Sequence, residues 1–126
     1  MGPNKSLTNE LGSIKSRIEL LPRKIDALTL TIENIEGRMD VLKKAGLIYA
    51  KPHWRNQKYF LLVHPMKKGE RKSPTYIGTD EGKIQQAHDG IARAEEFDKL
   101  SNQLEAYRRE VSKARSVLRD LELIFG

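Results

Sequence analysis

Residues 7–42 read LTNELGSIKSRIELLPRKIDALTLTIENIEGRMDVL, and a single apolar seam runs their whole length. Leu7, Leu11, Ile14, Ile18, Leu21, Ile25, Leu28, Ile32, Ile35, Met39 and Leu42 succeed one another in alternating steps of four and three. That is a heptad pattern held for about five repeats, longer than an ordinary globular helix needs. A seam this narrow is buried only by another helix. The other end of the chain supplies one: Ile84, Ala87, Ile91, Ala94, Phe97, Leu100, Leu104, Tyr107, Val111, Ala114, Leu118, Leu121 and Phe125 keep a helical period. At 1.5 Å per residue each arm reaches roughly 60 Å, and equal arms are what an antiparallel hairpin requires. The steps of three around Phe97 depart from the heptad and overwind a supercoil locally.

The ends of the arms carry their own signals. Asn4 or Ser6 is a candidate N-cap for the first. Lys43 and Lys44 suit a last turn, where cations complement the helix dipole, and Gly46 followed by Leu47 suits a left-handed C-terminal cap. Pro22 interrupts the first arm without shifting the seam, so a kink near residues 20–22, or two helices meeting there, is expected. The second arm should begin at Thr79 or Asp80, with Asp80 and Glu81 in its first turn. Ala87 and Ala94 would let the helices approach closely, and Gly82 and Gly90 weaken the start of that arm.

Between the arms the period changes from helical to alternating. KYFLLVH at 58–64 is aromatic and apolar enough for a central strand, with Tyr59, Leu61 and Val63 on one face and Phe60, Leu62 and His64 on the other. Residues 47–51 read as a preceding strand and 72–78 as a following one, which Pro74 confines to an edge. Residues 52–57 and 65–69 are the connecting loops. The predicted fold is therefore mainly α with a small β insert: a long antiparallel coiled-coil hairpin carrying a three-stranded antiparallel sheet at its tip. Its parts are a first arm at 1–46, a basic β tip at 47–79 and a second arm at 80–126. So small a sheet is stable only if one face packs on the helices.

Charge is concentrated on the insert. The chain carries a net +6; residues 1–46 contribute +2, residues 80–126 contribute −2, and residues 47–79 hold seven cations against the single acid Glu70. A localised patch of this kind implies a polyanionic partner. Lys51, Arg55 and Lys58 flank one turn; Lys67, Lys68, Arg71 and Lys72 flank the other. Cations on strands and turns can follow a phosphate backbone, and a β-ribbon fits the major groove. Trp54, His53 and Tyr76 add stacking or base contacts, with Trp54, Tyr76 and Arg55 as the specificity candidates. The bland alternative is a solvated edge guarded by lysines against aggregation.

Three short strands, a basic second turn and then RKSPTYIGTDEGKIQQA at 71–87 resemble the arm-type DNA-binding domain of tyrosine recombinases. The resemblance covers residues 47–87. It implies a sheet lying in the major groove, with Lys58, Arg71, Lys72 and Tyr76 touching bases and phosphates. The chain departs from that family in its long preceding helix and in a following helix of over forty residues, and integrase activity is not implied. The layout also resembles small bacterial and mobile-element proteins of helix–sheet–helix form.

Other chemistries find little support. There is no cysteine, so disulfides and thiolate zinc sites are excluded. His53, His64 and His88 lack the spacing of a helical metal site, and no metal or other cofactor is expected. No phosphate-binding glycine loop or nucleophile arrangement is present, and Glu95, Glu96 and Asp98 are better explained as partners of Arg93 or Lys99. No apolar run approaches a membrane span and the N-terminus carries no signal-peptide pattern, so a cytoplasmic, nucleoid-associated protein is expected. Leu20, Leu30, Val41, Val117, Leu123 and Ile124 lie off the seam and suggest a homodimer through the helices. The sequence thus points to non-catalytic nucleic-acid binding, with double-stranded DNA preferred to RNA, in a regulatory or architectural role. The rivals are a coiled-coil adaptor whose tip docks an acidic protein and a purely structural oligomer.

Overall fold

In the computed structural model the described residues are 3–67 and 69–125; of residues 3–15, 17 and 125 only the backbone is described. The chain runs α1 (Pro3–Ala45), β1 (Lys51–Arg55), β2 (Tyr59–Val63), β3 (Thr75–Gly78) and α2 (Glu81–Phe125), the helix–sheet–helix order expected from the change of period. Two compact units result: Met1–Glu36 with Gln103–Gly126, and Gly37–Asn102.

The first unit is helix against helix. Ile25, Val111 and Ala114 are buried, with Leu21, Leu28, Ile32 and Leu118 packed around them. All are seam residues. The two helices run antiparallel within this unit: Glu36 near the end of this stretch of α1 accepts a bond from Arg108 Nη2 at 2.8 Å, whereas Ile25 meets Val111 and Ala114 further along α2. Leu20, Leu30, Val117, Leu123 and Ile124 are exposed, as their places off the seam require. The seam positions Leu7, Leu11, Ile14 and Phe125 have side chains outside the described ones.

Both ends of α1 answer to local chemistry. The helix begins at Pro3, so Asn4 and Ser6 lie inside it rather than capping it. A proline in the first turn loses nothing there, because its missing N–H would be unpaired anyway. The helix is continuous through Pro22, which overturns the alternative of two helices meeting there. At the other end Gly46 takes φ +107°, and its N–H is shared between the carbonyls of Leu42 at 3.1 Å and Lys43 at 3.2 Å. That is the expected left-handed cap. Asp80 caps α2, its Oδ2 accepting the Lys83 N–H at 3.3 Å.

The second unit holds the sheet and the adjoining ends of both helices. Strand order is β1-β2-β3, antiparallel throughout. All three strands differ in their bounds from expectation, β2 by only one residue at each end. Residues 47–50 form no strand, and β1 instead occupies 51–55, where the sequence predicts mostly loop. The reason lies in the turn. Asn56 and Gln57 both take positive φ, 54° and 57°, and the Lys58 N–H reaches the Arg55 carbonyl at 3.2 Å. This tight turn over residues 56–58 sets Arg55 opposite Tyr59 and draws the strand forward to it. Pro52 is tolerated because β1 is an edge strand. β3 is shorter than expected, beginning after Pro74.

Residues 47–50 do something else: they lie along α2. The Ile48 N–H donates to the Gly90 carbonyl at 3.1 Å, and Arg93 Nε donates to the Gly46 carbonyl at 2.7 Å. Phe60, Leu62 and Ala87 form the buried cluster beneath the sheet, with Ile48, Ala50, Ile77, Ile84 and Ile91 packed against it. Ala87 is therefore small to admit the sheet. Phe60 is wholly buried, and removing its side chain from water contributes about 2–3 kcal/mol. Arg38 closes the unit with a two-pronged ion pair to Glu96, Nε to Oε2 at 2.8 Å and Nη2 to Oε1 at 3.1 Å. Among the described residues no helix is long and apolar enough to cross a membrane.

Candidate nucleic-acid interface

Strand pairing decides which side chains face outward. Directly opposed residues of antiparallel strands share a face, and alternate residues along a strand share one too. Phe60 and Leu62 point at α2, so their partners Trp54 and Pro52 do as well. Ile77 joins that side at a β-bulge, where Phe60 pairs Gly78 and Leu61 pairs Tyr76. The opposite face carries Lys51, His53 and Arg55 from β1, Tyr59, Leu61 and Val63 from β2, and Tyr76 from β3.

The outward face has an aromatic and apolar centre with a cationic border. The Tyr59 and Tyr76 rings lie 6.2 Å apart, tilted by 39°. Lys58 places its ammonium 5.7 Å from the Tyr59 ring centre, a cation–π approach at the turn. Tyr76 is 60% exposed, and its ring also lies over Gly78, whose missing Cβ would stand 3.5 Å from Tyr76 Cε1. Gly78, at φ +98°, is where the chain leaves the sheet for α2. Leu61 sits at the centre, opposite His53 on one side and Tyr76 on the other, and is only 5% exposed beneath its neighbours. Lys51, His53, Arg55 and Lys58 are exposed, and among the described residues none of them takes part in an ion pair. The charge on this face is uncompensated.

Of the residues singled out in the sequence, the fold thus gathers Lys51, Arg55, Lys58 and Tyr76. Lys67, Arg71 and Lys72 are exposed on the connection at 64–74, where Lys67 and Glu70 bridge through their backbones around Gly69. Lys68 lies outside the described residues. Trp54 is on the other face: its ring meets Phe60 edge-on at 5.1 Å, and Phe60 also meets His88 at 5.0 Å. It is part of the packing that fastens the sheet to α2, though its outer edge remains exposed. His64 turns to Thr75, with Nε2 and Oγ1 2.6 Å apart.

Tyr59 belongs to this face although the sequence alone does not single it out. Its signal was present in the alternation with Leu61 and Val63, but the equally apolar Phe60 and Leu62 made either face eligible for burial.

At one end of β1 the cationic border adjoins acidic side chains: a cleft of about 460 Å³ is lined by Lys51 and Val63 as well as by Ile48, Ala50, Ile91 and Ala94, with Glu95 and Asp98 from α2. The Tyr49 hydroxyl donates to Asp98 Oδ1 at 2.9 Å, and burial together with that carboxylate raises the phenol's pKa. Among the described residues no group of three or more His, Asp or Glu side chains is arranged to hold a metal ion. No protein-family model, curated protein or solved structure matches the chain.

Proposed function

We propose that this chain is a non-catalytic nucleic-acid-binding protein that works through the outward face of its three-stranded sheet, in a regulatory or architectural role. One observation carries the reading: Lys51, Arg55 and Lys58 border Tyr59 and Tyr76 on one exposed face, and among the described residues none of the three cations takes part in an ion pair. Unpaired cations around aromatic rings suit a ligand that alternates phosphate and base. Lys67, Arg71 and Lys72 on the neighbouring connection add to the positive field. The likeness of 47–87 to arm-type DNA-binding domains supports the same reading. Two copies, associating through exposed apolar side chains such as Leu20 and Leu30, would present two such faces and bind with avidity.

The test is fluorescence anisotropy with labelled oligonucleotides across a salt series. Binding should weaken steeply with salt. Replacing Lys51, Arg55 and Lys58 together by alanine should reduce the log–log slope by about 2 to 3. If neither duplex nor single strand binds at low salt, the reading falls, and an acidic protein partner becomes the leading alternative.

A further inference from the structure

The side chains at the centre of the outward face bear on which form of nucleic acid it takes. Reading a duplex through the major groove needs hydrogen-bonding side chains aimed at base edges, chiefly Arg, Lys, Asn and Gln. β2, the middle strand, offers Tyr59, Leu61 and Val63 instead. Its cations stand at the border: Lys51 and Arg55 on the edge strand β1, Lys58 in the turn. A duplex pressed against this face would bring stacked base edges against Val63, which can form no hydrogen bond with them, while Leu61 is buried beneath its neighbours. An unpaired strand presents the faces of its bases, and base faces stack on aromatic rings whatever their sequence.

We propose that the outward face of the sheet is a stacking platform for unpaired nucleic acid, with Tyr76 and Tyr59 receiving bases and Lys51, Arg55 and Lys58 following the phosphates. This rests on the nucleic-acid reading above and replaces the duplex preference drawn from the sequence. The two rings sit on adjacent strands at 6.2 Å, and Tyr76, being 60% exposed, has a face free for a base. The Tyr76 ring lies over Gly78, 3.5 Å from where a Cβ there would stand. Sequence preference should be slight, since stacking is tolerant of base identity and the cations contact only the backbone.

The experiment compares a fluorescently labelled 20-nucleotide thymidine strand with a 20-base-pair duplex, using the full chain. The expected result is tighter binding of the single strand by about tenfold or more. Tyr76→Leu should weaken single-strand binding by about tenfold, whereas Tyr76→Phe keeps the ring and should keep most of the affinity. Because Tyr76 is exposed, both variants should fold, which circular dichroism checks. Equal or tighter binding of the duplex, or a Tyr76→Leu variant as tight as the parent, overturns the platform while leaving the nucleic-acid reading intact. Failure of both probes at low salt overturns both.

Discussion

Ile48 rests directly on the backbone of Gly90. A Cβ at Gly90 would stand 2.5 Å from Ile48 Cδ1, 2.6 Å from Cγ1 and 3.2 Å from Cβ, and the Gly90 carbonyl already accepts the Ile48 N–H. Helix propensity favours Gly→Ala by about 1 kcal/mol. Here overpacking opposes it at about 1–3 kcal/mol, because rotating Ile48 moves Cγ1 and Cδ1 but not the crowding Cβ. Gly90→Ala should therefore lower stability by about 1 kcal/mol in urea unfolding. At Gly82 the nearest atom, Asp80 Oδ2, is 3.8 Å away, so Gly82→Ala should raise stability by about 0.5–1 kcal/mol. Opposite signs at the two glycines are the expected outcome; a stabilised Gly90→Ala protein would show that the connector does not pack there.

The turn between β1 and β2 holds a residue out of its preferred conformation. Gln57 sits at φ 57°, a region that costs an ordinary L-residue roughly 1–2 kcal/mol. Asn56 at φ 54° tolerates it better. Gln57→Gly should stabilise the protein by about 0.5–1 kcal/mol after the entropy of glycine is counted. Gln57→Val, with a branched Cβ in the same region, should destabilise it. Thermal unfolding of the pair checks the order.

Arg38 and Glu96 couple stability to pH. The hydrogen bonds from Arg38 hold the Glu96 carboxyl below the ordinary glutamate range, and Glu96 in turn raises the guanidinium. A carboxyl whose folded pKa is depressed stabilises the fold above its unfolded value, and that contribution is lost as pH falls through the folded value. The pair is exposed, so the effect is small and weakens with salt. Glu96→Gln should thus be less stable than the parent near neutral pH, with the difference vanishing in acid. Melting curves from neutral to strongly acidic pH measure this; a gap that persists at the acid end contradicts it.

Phe60 joins the sheet to α2. It is fully buried and touches both Trp54 and His88, and Phe60→Ala should cost about 3–5 kcal/mol. Trp54 is the chain's single tryptophan and touches Phe60 edge-on, so its emission reports the loss. A red shift together with the lower unfolding midpoint is expected. An unchanged emission spectrum would mean that Trp54 does not depend on Phe60 for its surroundings.

Much of the fold was legible because it is repetitive. The alternating four-and-three seam could be buried only by a second helix, and Ile25, Val111 and Ala114 meet as that periodicity requires. Gly46 and Asp80 end and begin helices through local hydrogen bonds that any chain with those residues could form. The strand bounds were less legible. Nothing local distinguishes 47–50 from a strand; those residues lie instead along α2 because Gly90 leaves room for Ile48.

By itself the sequence determined two long helices, three short strands between them and the placing of the positive charge, since each follows from period, composition and end signals along the chain. Only the tertiary structure decided which face of the sheet looks outward. Tyr59, Leu61 and Val63 were as fit for burial as Phe60 and Leu62, and alternation is blind to the choice. The choice fell when Phe60 and Leu62 packed on Ala87, which sent Trp54 inward and turned Tyr59 and Tyr76 out beside Lys51, Arg55 and Lys58.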